Sequence, residues 1–548
     1  RLIQTNDGKT LLLPKESWEV FLQTARDLQF EQRKGEFLAK NTHALVIDYL
    51  RKYYDKSFDV NQESKSKDLA EAKDFPGLNA TLREYQWQGV SWLSDRLSSH
   101  GFALLADEMG LGKTLQTIAL LLAFARPDDP GLVVVPTSLL RNWEVEIAKF
   151  APALKTIVWH GGARGDDLLT QSYSVIVTSY GVLVKDRAFF MKRGYSVLVL
   201  DEASMIRNPD TEAARACYRM QAQRKIALTG TPLENSMQDL WSIFQFLQPG
   251  YLGDRKTFRE RYERVGGDAA DAQVSRDSLK LRVMPFILRR TKEEVAKDLP
   301  EKLEYDQWCE MSADQARLYQ SVLDQGLVKI DSMLRAGDSA ARMSLLTLLL
   351  RLRQICCDAA LYDPSLVESW TMEQRSAKLE QLFRLIEGSV ESGRKMLIFS
   401  QFAKQLHVIQ AECEARGLDT LRLDGATRDR QALVQEFQKS SGPPIFLISL
   451  KAGGYGLNLT NASTVIHFDP WWNPAAERQA SDRAHRIGQT QRVQVYRLLT
   501  RGTVEERVKK MQAEKSAMAD QLFGAVEGSG LSVNLRDLEQ IRNLLLQP

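Results

Sequence analysis

The sequence has 548 residues, of which 44% are hydrophobic and 26% charged, with 73 Lys and Arg against 70 Asp and Glu for a formal net charge of +3. That length calls for two large domains or three to four smaller units, and globular proportions exclude a disordered or fibrous chain. A near-neutral total excludes a simple polybasic binder, although a summed charge leaves room for a local basic groove.

In chain order, apolar spacing predicts helices over Trp18–Phe30 and Phe37–Tyr54. A polar stretch, Asn61–Asp74, follows as a linker or a solvated helix, and Pro76-Gly77 breaks the chain. From about 78 to 235, short runs alternate with helical stretches: Leu132–Val135, Ser174–Thr178, Val197–Leu200 and Ile226–Leu228. They are dense in Val, Ile and Leu with little alternation, as strands buried on both faces of a parallel sheet are. Residues 236–375 carry almost no strand signal and read as helical. A second set of runs then appears: Met396–Phe399, Leu421–Leu423, Ile445–Ile448, Val465–Phe468 and Val493–Leu498. The expected fold class is therefore α/β, with two parallel-sheet units. The tail from 503 is helical in pattern.

The five cysteines, at 217, 309, 356, 357 and 413, form no CxxC pair. They argue against a disulfide framework or a zinc ribbon and for a reducing, cytoplasmic compartment. Apolar runs such as 115–125 and 345–350 fall short of the roughly 20 residues a membrane span needs, so no membrane association is expected. No signal-peptide pattern is seen. The chain opens on Arg1 rather than Met and is expected to be a fragment of something longer.

Residues 106–114 read ADEMGLGKT, after the run Phe102–Leu105 and before the helical run Leu115–Ala125. Glycines in such a loop let backbone N–H groups approach phosphate, and the following helix offers its positive end. Gly110 and Gly112 serve that purpose, Lys113 reaches the β- and γ-phosphates, and Thr114 ligates Mg²⁺. The strict pattern wants glycine where Asp107 stands. Residues 197–202 read VLVLDE, a strand ending in two carboxylates. Asp201 is placed to hold Mg²⁺ and Glu202 to orient and deprotonate an attacking water. ATP and Mg²⁺ are the cofactors this pair of motifs calls for.

At this point the chain resembles the ATPase motor of Swi/Snf-type translocases in helicase superfamily 2, over about residues 78–515. The resemblance implies two RecA-like lobes facing a cleft, with helical protrusions between them and helical extensions at both ends. It divides the chain into an N-terminal extension (1–75), a first ATP-binding lobe (76–300), a second protrusion and linker (301–375), a second lobe (376–502) and a brace and tail (503–548).

Motif by motif, LREYQWQGVSWL (82–93) resembles a nucleotide-sensing segment, with Gln86 reading the adenine edge or else sitting as a polar residue on a helix. VVVPTSLLRNW (133–143) and VIVTSYGVL (175–183) resemble segments that face nucleic acid. Thr137, Ser138, Thr178 and Ser179 then bond backbone phosphate, or else cap strand ends. The acid motif carries Ser204 where the family more often has His or Gln, which puts coupling to the other motifs in doubt. LTGTPLEN (228–235) resembles the motif that links hydrolysis to lobe movement, and FILRRTKEEV (286–295) resembles the family's Arg-Arg stretch between the lobes. LRQICC (352–357) resembles a protrusion helix, although Asp358-Ala359 replaces the commoner His-Pro.

In the second lobe, KMLIFSQF (395–402) puts Ser400 on the nucleic-acid side, and ISLKAGGYGLNLT (448–460) puts Lys451 there and Gly456 and Asn458 on the nucleotide. In DPWWNP (469–474), Trp472 is the tryptophan assigned to an exposed position beside nucleic acid. In QASDRAHRIGQ (479–489), Gln479, Arg483 and Arg486 share one face if the segment is a helix. The resemblance makes Gln479 catalytic and the two arginines γ-phosphate fingers.

The implied partner is double-stranded DNA, held by phosphate contacts with low sequence preference, and protein partners are expected in a larger assembly. The implied activity is a DNA-stimulated ATPase and translocase that remodels protein–DNA complexes. Two alternatives stay open: a strand-separating DNA or RNA helicase, and a nucleotide-gated scaffold. Compact insertions suggest a bacterial or archaeal motor, nucleoid-associated, serving polymerase recycling, repair or phage defence.

Overall fold

The computed structural model describes four short strands within the first 38 residues, and then residues 75–510 apart from 162–163, 165–171, 231–236, 264–268, 337–339, 428, 451, 453–456 and 472–473. Two compact units divide the described chain between Val295 and Ala296.

The four short strands pair as two antiparallel hairpins, β1 (Leu2–Gln4) with β2 (Thr10–Leu12) and β3 (Glu31–Arg33) with β4 (Glu36–Leu38). Phe37 and Leu38 therefore belong to a strand and not to the start of a helix. The remainder of the two expected helices lies outside the described residues.

The first unit is built on a seven-stranded, all-parallel sheet in the order β11-β5-β10-β9-β6-β8-β7. Its strands are β5 (Phe102–Leu105), β6 (Gly131–Val135), β7 (Thr156–Trp159), β8 (Val175–Ser179), β9 (Val197–Leu200), β10 (Arg224–Leu228) and β11 (Ile287–Leu288). Every residue of β5, β6, β8 and β9 is buried, because helices cover both faces. Three of these helices matter most for the site. They are α1 (Glu84–Ser99), α2 (Lys113–Phe124) and α3 (Leu140–Phe150), whose inward residues Leu140, Trp143 and Ile147 recur at helical spacing. A fourth, α4 (Tyr180–Lys185), starts directly from β8, with the Ser179 side chain accepting from Val182 N.

The second unit carries a six-stranded parallel sheet in the order β12-β17-β16-β13-β15-β14. Its strands are β12 (Lys302–Cys309), β13 (Lys395–Ser400), β14 (Thr420–Leu423), β15 (Ile445–Ser449), β16 (Ala462–His467) and β17 (Val493–Thr500). The long helices α5 (Ala313–Arg335) and α6 (Ala341–Cys357) form a hairpin-like insertion, and α7 (Ala377–Glu391) returns the chain to the sheet. The strands β11 and β12 both fall within 236–375, where the sequence carries almost no strand signal, and the eight-residue β12 is the larger correction to the helical reading. On this outer strand Glu304–Asp306 are exposed, their neighbours half-buried and only Cys309 buried, so no continuous apolar run marks it.

All five cysteines are buried free thiols. Among the described residues, no helix is long and apolar enough to cross a membrane.

Candidate active site

The phosphate loop joins β5 to α2, and its backbone explains its glycines. Gly110 has φ 94° and Gly112 φ 79°, a left-handed region that residues with a Cβ rarely enter. A Cβ on Gly112 would also lie 2.4 Å from Gln86 Nε2. Lys113 folds back onto the loop and donates to the carbonyls of Asp107 (2.6 Å) and Glu108 (3.3 Å). Those carbonyls accept N–H bonds that phosphate oxygens could accept in their place.

Asp107, the departure from the strict loop pattern, has no positive φ that would require glycine. Its side chain is fully buried and turns away from the loop, toward Arg290. Arg290 meets it with two bonds, Nε to Oδ1 at 2.9 Å and Nη2 to Oδ2 at 2.5 Å. Gln116 Nε2 donates to Oδ2 at 3.2 Å, and Arg290 also donates to the Tyr85 carbonyl. A Cβ on Gly89 would meet Gln116 Oε1 at 2.0 Å and Arg290 Nη2 at 2.6 Å, so α1 needs its glycine there. The Leu288–Lys292 segment runs along the loop: Ala106 N bonds Leu288 O, Glu108 N bonds Arg290 O, and Lys292 pairs with Glu108 at 3.2 Å.

Gln86 is buried at the start of α1. Its Oε1 accepts from Arg83 N at 3.0 Å, and its Nε2 donates to Leu111 O at 3.2 Å, beside the Tyr85 hydroxyl, which donates to the same carbonyl at 2.9 Å. Burial pushes the Tyr85 phenol up to about 12. Both ends of the Gln86 amide therefore serve the helix start and the loop.

At the end of β9, Asp201 and Glu202 turn sharply. Asp201 Oδ2 accepts from the Trp143 indole Nε1 at 2.7 Å, and Oδ1 accepts from Glu202 N at 2.9 Å. The Tyr180 hydroxyl donates to Asp201 O at 2.8 Å. Burial raises the Asp201 pKa, opposed by the Trp143 bond and by the nearby charge of Lys113. A buried carboxylate gains from a nearby cation, and carboxylate and hydroxyl oxygens are the hard donors that Mg²⁺ would take. Gly230, just after β10, completes the neighbourhood: a Cβ there would lie 3.9 Å from Lys113 Nζ.

The predicted nucleic-acid residues of the first unit divide. Thr137 and Ser138 are exposed at the entry to α3. Thr178 and Ser179 are not exposed, which corrects that expectation. Thr178 is fully buried with its hydroxyl on Trp159 O at 2.9 Å, and Ser179 is 1% exposed and caps α4.

In the second unit, Ser400 is likewise buried, donating to Asp469 Oδ1 at 2.5 Å, so its hydroxyl faces inward and not toward nucleic acid. The helix α8 (Pro474–Ser481) carries the half-buried Gln479 but stops at Ser481. Arg483 and Arg486 therefore lie in the turn beyond it, which corrects the expectation of one helical face for all three. Arg483 is 3% exposed, and its carbonyl accepts from Leu459 N at 3.0 Å, beside the exposed Asn458. Gln489 fixes this turn by donating to Thr460 O at 2.9 Å, Ala462 O at 2.8 Å and Ala484 O at 3.1 Å. Lys451, Gly456 and Trp472 lie outside the described residues.

The model of the SNF2-related domain matches residues 85–361, and that of the helicase conserved C-terminal domain matches residues 377–488. The chain belongs to the SNF2-related family. An uncharacterized ATP-dependent helicase of Mycoplasma pneumoniae is 38% identical over 470 residues, covering 84% of this chain and 44% of that protein. Its counterpart in Mycoplasma genitalium is 36% identical over 508 residues, covering 90% of this chain and 48% of that protein. The ATPase of the ISWI chromatin-remodeling complex of Saccharomyces cerevisiae is 34% identical over 458 residues, with 80% and 40% covered. The chain thus spans about half the length of the curated relatives it matches. Among solved structures, the Sulfolobus solfataricus SWI2/SNF2 ATPase core in complex with dsDNA is 34% identical and covers 82% of this chain and 95% of that one, at a TM-score of 0.40, too loose an overlap to bear on the fold.

Several groups of this SNF2-related site were not singled out from sequence: Trp143, Tyr180, Gln116 and the Asp107–Arg290 pair. Trp143 and Tyr180 lay inside motifs that sequence assigned to nucleic acid. No local spacing reveals that they reach Asp201.

Proposed function

We propose that the chain is the motor of an ATP-dependent DNA translocase, which hydrolyses ATP with Mg²⁺ and moves along duplex DNA with little sequence preference. The observation that carries this reading is the joining of a glycine phosphate loop, its lysine and an Asp-Glu turn in a member of the SNF2-related family. The names of the Mycoplasma and yeast relatives, ATP-dependent helicases and a chromatin-remodeling ATPase, support ATP use and a DNA substrate.

In this reading, Lys113 leaves the Asp107 and Glu108 carbonyls for the β- and γ-phosphates, and the glycine backbone N–H groups hold the phosphate chain. Mg²⁺, when bound, neutralises charge on the phosphates, with Thr114 and Asp201 as its protein ligands. Glu202 orients the attacking water and takes its proton. Gln479, Arg483 and Arg486 are assigned to the γ-phosphate side, where an arginine can contribute ~10³–10⁵ in rate. Phosphate contacts dominate DNA affinity, which falls with salt. Thr137 and Ser138 are the first-unit residues that meet the backbone.

The test is steady-state ATP hydrolysis with no nucleic acid, duplex DNA, single-stranded DNA and RNA, beside Glu202→Gln. Duplex should stimulate most, and Glu202→Gln should lower the rate by about 10²–10⁴ while still binding nucleotide. Equal rates in all four conditions would overturn the DNA-motor reading. No hydrolysis under any condition would favour a nucleotide-gated scaffold.

A further inference from the structure

The two strand-end segments that sequence assigned to nucleic acid both reach the acid turn, from different sides. The first leaves β6, passes the exposed Thr137 and Ser138, and becomes α3. From α3, Trp143 sends its indole N–H to Asp201 Oδ2 at 2.7 Å. The second leaves β8, turns at Ser179 into α4, and sends the Tyr180 hydroxyl to Asp201 O at 2.8 Å. The backbone adds a third tie, Asp201 N to Val134 O at 2.9 Å, one residue before the end of β6.

Trp143 is fully buried, and its bulk alone would fill the core. A buried indole N–H needs a partner, but any nearby backbone carbonyl could serve. Here the partner is a carboxylate of the hydrolytic site, and the other oxygen of that carboxylate is already committed to Glu202 N. The two bonds together fix the rotation of the Asp201 side chain. Hydrogen bonds of this kind weaken steeply once the donor leaves its line, so a small shift of α3 releases Asp201. Ser138 lies in the single 3-10 turn Thr137–Leu139 that runs directly into α3, and Trp143 lies in the first turn of α3, so five residue steps of roughly 1.5–2 Å join the exposed hydroxyl to the indole.

We propose that Trp143 is a positioning residue that links backbone-phosphate contact at Thr137–Ser138 to the orientation of Asp201. Nucleic-acid contact at the start of α3 thereby sets the geometry of the metal carboxylate. This rests on the DNA-motor reading and adds a route by which duplex raises hydrolysis. Tyr180 acts as the fixed counterpart, holding the main chain of the turn while Trp143 sets its side chain.

Site-specific 3-benzothienylalanine at position 143 keeps the bicyclic shape in the core and removes only the N–H, and Trp143→Phe, which also loses part of the ring, is measured beside it. On the full chain, three quantities are measured: duplex affinity, the ratio of duplex-stimulated to basal hydrolysis, and the Mg²⁺ midpoint for binding of a fluorescent ATP analogue without turnover. The expected result is duplex affinity within about twofold of wild type and a stimulation ratio reduced about tenfold, the scale of one hydrogen bond to a charged group. The Mg²⁺ midpoint should rise several-fold, which a purely space-filling tryptophan would not cause. An unchanged ratio and an unchanged Mg²⁺ midpoint, with wild type stimulated normally, would overturn the link and leave the motor reading intact. A wild type that does not respond to duplex would overturn both. Should Trp143→Phe fail to fold, the benzothienylalanine protein alone makes the comparison.

Discussion

Glu202 sits at φ 51° and ψ 59°, and among the described residues it is the one non-glycine with positive φ. A side chain there costs about 1 kcal/mol or more, and such strain persists where neighbours over-determine it. The Asp201 carboxylate and the Tyr180 hydroxyl do so here. Glu202→Gly and Glu202→Ala should therefore both lose hydrolysis, yet the glycine variant should be the more stable by about 1 kcal/mol. Denaturant unfolding of the two variants side by side checks this. Gln86 makes a sharper case. Sequence reads it as an adenine sensor, but its amide bonds the Arg83 N–H and the Leu111 carbonyl. These bonds assign it to the loop, so Gln86→Ala should weaken ATP and GTP binding about equally. Weakening confined to ATP, in a titration of both nucleotides, would restore the sensor role.

The Ile287–Lys292 segment acts as an element even though only two of its residues, Ile287 and Leu288, form a strand. It pairs with β5 and then with the phosphate loop itself, and Arg290 fastens the loop from beneath through the buried Asp107. Removing one partner of such a pair leaves an uncompensated buried charge, which costs about 3–5 kcal/mol. Arg290→Met should lower the stability of the first unit by that order and weaken nucleotide binding. Adding Asp107→Leu should recover much of the stability but not the Lys113 geometry, and thermal melting with nucleotide titration separates the two effects. The same element shows what sequence can carry. The runs of β6, β8, β9, β13 and β15 are legible because burial on both faces demands continuous Val, Ile and Leu. The strands β7 and β12 are not, because β7 alternates in burial and β12, an outer strand, is half-buried or exposed along all but its last residue. The phosphate loop and the Asp-Glu turn are legible because phosphate and metal chemistry restricts which residues can stand there. The inward-facing hydroxyls of Thr178 and Ser400 are not, because a small hydroxyl at a strand end serves a cap and a phosphate equally well.

At the scale of the whole molecule, a formal net charge of +3 leaves little overall self-repulsion at neutral pH, and buried titratable groups add an acid sensitivity of their own. In the second unit, one such group is His467 on β16. It is fully buried, stacks on Phe399 with ring centroids 5.6 Å apart, and has Nε2 2.8 Å from Ser481 Oγ. Burial lowers its pKa to about 3, with Arg497 and Lys302 adding to the shift and Glu304 opposing it. In the unfolded chain it titrates near the ordinary value of about 6.5. Above that pH neither state binds the proton, and the contribution to stability is complete. Below it the unfolded state takes up a proton that the folded state refuses, so stability falls by about 1.4 kcal/mol per pH unit until the folded value is reached. Glu304 acts in the same direction at lower pH. Burial raises its pKa, but Lys302 and Arg497 more than offset that and bring it to about 2, so its contribution is lost only below the usual carboxylate range. The window from about pH 6.5 down to about 4.5 therefore reports on His467 and not on Glu304. His467→Gln keeps a partner for Ser481 and cannot titrate. Hydrogen exchange of the β13 and β16 amides in the full chain, followed across that window, should show protection falling with acid in the wild type and a much flatter profile in the variant. Parallel profiles would assign the acid sensitivity of the second sheet to other groups.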